Sequence, residues 1–105
     1  MEGLTIRAMR ESDLPSVVAI ERLSFSTPWS EILFFNEIYK QRSIPKVAVI
    51  GDRIAGYICA NHVADEGHIL NLAVHPDFGR RGIANTLVEN ILEELKENAC
   101  RFLYL

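Results

Sequence analysis

Residues 68–84 bring together the groups that could hold a phosphorylated ligand. Residues 69–74 are apolar except for Asn71, a break follows at Pro76 and Gly79, and a helical pattern begins in Arg80-Arg81-Gly82-Ile83-Ala84. The first N–H groups of a helix have no partner within it, and the positive end of its dipole lies beside them. Such a terminus can seat a diphosphate. Gly82 lets the backbone approach closely, Ala84 is too small to obstruct, and Arg80 and Arg81 add positive charge. A plain strand–turn–helix connection with two solvated arginines is the competing reading. On the residues alone both stay open.

Other chemistry-bearing residues are sparser. Cys59 and Cys100 match no metal or redox spacing, and Cys100 near a helix end reads as inert. No metal-ligating set is evident. His62 and His75 have no assignable partner. Trp29, Phe34, Phe35 and Tyr39 read as core or groove wall.

The elements that must position this loop follow from periodicity. Leu4 to Met9 alternates as a half-buried strand. Ser12 or Asp13 caps a first helix, with Pro15 in its first turn and Leu14, Val17, Val18 and Glu21 at helical spacing. Thr27 caps a second helix with Pro28 at its first position; Ile32, Leu33, Phe35, Ile38 and Tyr39 supply its apolar face. Residues 41–45 form a polar loop. Residues 46–50 and 53–63 are strands joined by the hairpin signal Gly51-Asp52. Asp65-Glu66-Gly67 turns the chain into a strand from His68 to Val74. Arg80 to Asn98 is the longest helix, with Ile83, Leu87, Val88, Ile91, Leu92 and Leu95 on one face. Arg101 begins a further strand. The order is β-α-α-β-β-β-α-β, an α+β fold with a mixed sheet flanked by helices, in one domain over residues 1–105.

Gly79-Arg80-Arg81-Gly82-Ile83-Ala84 is similar to the acetyl-coenzyme A signature of the GNAT superfamily, Gln/Arg-x-x-Gly-x-Gly/Ala. Gly79 stands where the family usually has Gln or Arg, so weaker cofactor binding is expected. Pro28-Trp29-Ser30-Glu31, Asp65-Glu66 and residues 70–78 together resemble the bacterial enzymes that acetylate the N-terminal alanine of a ribosomal protein. The resemblance covers essentially the whole chain.

It implies a GNAT-like fold and an acetyl transfer from acetyl-CoA to a protein N-terminal α-amine by direct attack. Leu72, Ala73 and Val74 would bond the pantetheine arm through their backbone. One N–H there would polarise the thioester carbonyl, as an oxyanion hole does. Gly79, Arg80, Arg81, Gly82, Ile83 and Ala84 would hold the pyrophosphate. The acceptor would lie against Trp29 and Asn71. The family's glutamate base follows Leu-x-Leu in a strand, and this sequence ends at Leu103-Tyr104-Leu105, one residue short of it. The fold is thus expected to be incomplete at its C-terminus, without the family's tyrosine acid. His68 is then the candidate catalytic base, since relatives place a catalytic Tyr or a water-binding His there and its unperturbed pKa suits the task. A surface histidine beside a turn is the competing reading. Two alternatives stand beside the enzyme: an inactive acetyl-CoA binder, and a module that homodimerises through the open strand after Arg101. A small amine is the alternative substrate.

Composition limits the remaining classes. Apolar residues make up 49% of the 105 and charged residues 24%, which is ordinary for a folded domain. The net charge of −3 makes nucleic acid a poor partner. No apolar run is long enough to span a membrane. Two unpaired thiols and no apolar leader suggest the cytoplasm.

Overall fold

The computed structural model describes residues 3–104. Five strands, β1 (Leu4–Ala8), β2 (Ser43–Ile50), β3 (Arg53–Val63), β4 (Glu66–Val74) and β5 (Phe102–Tyr104), form one sheet in sequence order. Neighbours are antiparallel except β4 and β5, which run parallel. Helices α1 (Leu14–Ser24) and α2 (Glu31–Tyr39) cover one face, and α3 (Ile83–Glu97) covers the other. The expected order of elements is the observed one.

Strand alternation divides the core in two. Val47, Tyr57, Cys59 and Ala73 meet Leu14, Val17, Ile20 and Phe34 of α1 and α2. Ile44, Ala48, Ile58 and Ala60 meet Ile83, Leu87, Ile91 and Leu95 of α3. Those four α3 residues are buried, as their spacing predicts, and Lys46 bonds Glu94 at 2.7 Å across the same interface.

Four boundaries differ from the sequence reading by two residues or more. The second helix begins at Glu31, with Ser30 and not Thr27 as its N-cap. Trp29, just before the cap, packs on Phe34 in the first turn with ring centroids 5.2 Å apart. This hydrophobic staple sets the entry point and leaves Thr27 and Pro28 outside. The long helix begins at Ile83 and not Arg80, because Arg80 (φ 61°) and Gly82 (φ 77°) are left-handed. β2 begins at Ser43, inside the expected loop. Pro45 lies beyond the paired length of β1, so its missing N–H disrupts no ladder on that side. β4 begins at Glu66, since Glu66 and Gly67 pair with Phe102 and Leu103; the turn moves to Ala64 and Asp65.

Asp13, buried at the start of α1, receives two hydrogen bonds from Arg7 at 2.7 and 2.9 Å and one from Arg10 N–H at 2.8 Å. Burial pushes its carboxyl upward, but Arg7 and the Arg10 N–H outweigh this and hold it below the ordinary range. A lowered folded pKa stabilises above the unfolded value near 4, and that stability is lost as pH falls through the folded value. Asp13→Asn should therefore cost about 1–3 kcal/mol at neutral pH. The gap between variant and parent urea midpoints should narrow below about pH 4.

Candidate active site

The loop after β4 is short and tightly held. Pro76–Phe78 form a single 3-10 turn, and His75 Nδ1 accepts the Asp77 N–H at 3.0 Å. His75 thus has a partner that its sequence position did not suggest. Phe78 is buried beneath two guanidinium groups: Arg53 lies 4.8 Å and Arg81 5.5 Å from its ring centre. Arg53 also pairs with Asp77 at 3.1 Å. Among the described residues no carboxylate pairs with Arg80 or Arg81.

Beyond this turn Gly82 caps α3 in the left-handed conformation, and no side chain accepts from the first-turn N–H groups. A Cβ at Gly82 would meet nothing within 4 Å, so its glycine is needed for φ and not for space. A cavity of about 260 Å³ lies at this terminus, lined by Val74, Phe78, Gly79, Arg80, Gly82 and Ile83, with Ala84 beside them. A larger hollow of about 460 Å³ lies along α3 between Ile6 and Lys96. It carries Glu89 and Glu93, which would repel a diphosphate.

The cavity lies at the C-terminal end of β4, a strand that carries a bulge. Cys59 pairs with Asn71 and Ala60 with Ile69, which leaves Leu70 as a bulge in β4. A bulge bends its strand and increases local twist. β5 follows β4 only from Glu66 to His68, and downstream no described residue pairs with that edge. His75 donates its N–H to Ala55 of β3 at 2.8 Å. The Ala73 carbonyl also faces β3, where a Cβ on Gly56 would meet it at 2.9 Å. By alternation, the N–H and C=O groups of Leu72 and Val74 face the open edge.

On the α1–α2 face a buried carboxylate joins the strand to the helices. Glu21, 1% exposed, accepts from Asn71 Nδ2 at 2.7 Å, from Trp29 N–H at 2.8 Å, and from the Tyr57 hydroxyl. Burial and the Glu21 carboxylate hold the Tyr57 hydroxyl protonated, above its ordinary range. Asn71 Oδ1 in turn accepts the Leu72 N–H at 3.2 Å. Trp29 and Asn71, both expected near an acceptor, are thus brought together through Glu21. Glu21 and Tyr57 were missed as site residues. The signal was a carboxylate at a core position, three residues after Val18 and seven after Leu14.

His68 lies at the other end of β4, stacked on Tyr104 with ring centroids 5.3 Å apart and its Nε2 3.4 Å from Glu66. It pairs with Asn61, so alternation places it on the same sheet face as Asn71. Four residues, roughly 13 Å of strand, separate it from Leu72. Cys59 is buried, and burial pushes its thiol well above the ordinary range, which removes it as a nucleophile. Among the described residues no cluster of His, Cys, Asp and Glu could hold a metal ion, and no helix is long and apolar enough to cross a membrane.

Comparison with known proteins places the fold. The family model for the Acetyltransferase (GNAT) family matches residues 14–105. The [ribosomal protein bS18]-alanine N-acetyltransferase of Salmonella typhimurium is 35% identical over 96% of this chain and 68% of its own length. The crystal structure of the Escherichia coli ribosomal-protein-S18-alanine N-acetyltransferase superimposes with a TM-score of 0.81 at 29% identity. That match covers 90% of this chain and 61% of that one, so this chain spans about three-fifths of the solved relative. The PaiA N-acetyltransferase of Thermoplasma acidophilum, solved with coenzyme A, shares the fold at TM-score 0.81 and 18% identity, over 94% of this chain and 77% of its own. The chain belongs to the GNAT family of acetyltransferases.

Proposed function

We propose that this chain binds acetyl-CoA along the open edge of β4 and transfers the acetyl group to a protein N-terminal α-amine, that of a ribosomal-protein alanine. The observation that carries the reading is the N-terminus of α3 at the end of β4, where no side chain accepts from the first-turn N–H groups and a cavity is lined by Val74, Arg80 and Gly82. The pyrophosphate lies against residues 79–84, where backbone N–H groups and Arg80 and Arg81 meet its charge. The pantetheine arm runs along Leu72, Ala73 and Val74 like an added strand. The names of the Salmonella and E. coli relatives support the alanine acceptor.

In the reaction the neutral amine nitrogen attacks the thioester carbonyl carbon, the C–S bond breaks, and the sulfur leaves as thiolate to be protonated. An edge N–H of β4 polarises the carbonyl oxygen. An α-amine with pKa near 7.7–8.0 is roughly a tenth neutral at pH 7, so a modest base suffices. His68 takes the amine proton through intervening water, a role supported by its position on the acceptor face of the sheet.

Calorimetry with acetyl-CoA tests the binding half, and release of free CoA in the presence of an alanine-starting basic peptide tests transfer. Binding near one site per chain with turnover is expected, and His68→Ala should lower the rate. Binding without turnover would make the chain an acetyl-CoA binder. Neither would leave the interaction module. That module is a homodimer, and a monomeric mass by light scattering would remove it.

A further inference from the structure

Glu21 links two parts of the site that are far apart in the chain. A continuous line of hydrogen bonds runs from the Trp29 N–H to Glu21, from Glu21 to Asn71 Nδ2, and from Asn71 Oδ1 to the Leu72 N–H. The last donor faces the open edge of β4, where no described strand residue accepts from it. In this structure the neighbouring side chain fills that role. Trp29 lies in the irregular segment between α1 and α2, the part of the acceptor wall with no helical ladder of its own.

We propose that Glu21 and Asn71 are positioning residues that communicate the occupancy of the β4 edge to the acceptor wall at Trp29. The inference rests on the reading that acetyl-CoA lies along that edge. A cofactor carbonyl that takes the Leu72 N–H must displace Asn71 Oδ1. The carboxamide is planar, so turning its oxygen away also moves the Nδ2 donor held by Glu21. The Glu21 carboxylate is buried, so bulk water does not replace a lost donor. It then draws on its two other donors, the Tyr57 hydroxyl and the Trp29 N–H. Cofactor binding thereby resets the Trp29 backbone, and the acceptor surface is completed after the cofactor arrives.

Trp29 is the only tryptophan, so indole emission reports this segment alone. The experiment titrates the full chain with acetyl-CoA by calorimetry and, in parallel, by Trp29 emission excited at the red edge of the indole band, where adenine does not absorb. In the parent both signals should move with one midpoint. Asn71→Ala, with nothing to displace, should bind about 2- to 10-fold more tightly, the worth of one hydrogen bond, and should lose most of the emission change. A residue that merely supports the strand or contacts the cofactor directly would weaken binding when removed. Glu21→Gln keeps the shape and loses an acceptor, so it should bind acetyl-CoA with a reduced emission change. Tyr57→Phe, off the line, should keep that change. Binding by the parent with unchanged Trp29 emission would overturn the relay and leave the edge reading intact. So would weaker binding or a full emission change in Asn71→Ala. Should Asn71→Ala fail to fold by circular dichroism, Glu21→Gln decides: a full emission change there overturns the proposal. Absence of any heat with the parent would overturn the edge reading and the relay with it.

Discussion

Gly82→Asp should weaken acetyl-CoA binding by at least about 100-fold while the chain stays folded, equivalent to roughly 2.7 kcal/mol. Gly82 has φ 77°, so any side chain there carries left-handed strain, about 1–2 kcal/mol for an ordinary residue. Asp is among the residues that tolerate this conformation best, and no atom lies within 4 Å of the added Cβ. The fold therefore absorbs the change. The ligand does not: the carboxylate would stand at the helix N-terminus where the diphosphate is placed. Two like charges at about 4 Å repel by roughly 4 kcal/mol at an effective dielectric near 20. Gly82→Ala separates the terms, since it keeps the strain and omits the charge. Calorimetry on both variants checks the argument. Equal affinity in parent and Gly82→Asp would mean that the phosphates sit elsewhere.

Phe34→Ala should destabilise the chain by about 3–5 kcal/mol, read as a fall in the urea midpoint at unchanged slope. Phe34 is 0% exposed and meets Tyr57 edge-on at 5.4 Å and Trp29 at 5.2 Å. Its removal opens a cavity between α2 and the sheet and takes away half of the staple that starts α2. Natural domains have only about 5–15 kcal/mol in all, so this is a large share. A loss below about 1 kcal/mol would mean that α2 collapses into the space, which the rigid pairing of β2 with β3 argues against.

Much of the architecture was legible in short stretches of sequence. The apolar face of α3, the bounds of β3 and the strand–loop–helix around Gly82 each follow from the pattern of neighbouring residues. Local steric preferences and solvent exposure act over one or two turns, so a window of residues contains the information. The resemblance in residues 79–84 and 28–31 pointed to the family by the same local route.

Other features were decided only by the tertiary structure. Nothing in Arg80-Arg81-Gly82 distinguishes a first helical turn from a left-handed approach to one; the arrangement over Phe78 accompanies the second. Leu70 is a bulge because two strands pair out of step on either side of it, a property of the pair and of neither strand alone. Glu21 reads as an ordinary helix carboxylate. Its burial is tolerable because donors converge on it from residues 8, 36 and 50 positions away. The sequence by itself determined which segments become helix and strand. The bulge in β4 and the polar joint beside it depend on contacts between distant segments, whose geometry exists only once the sheet has formed.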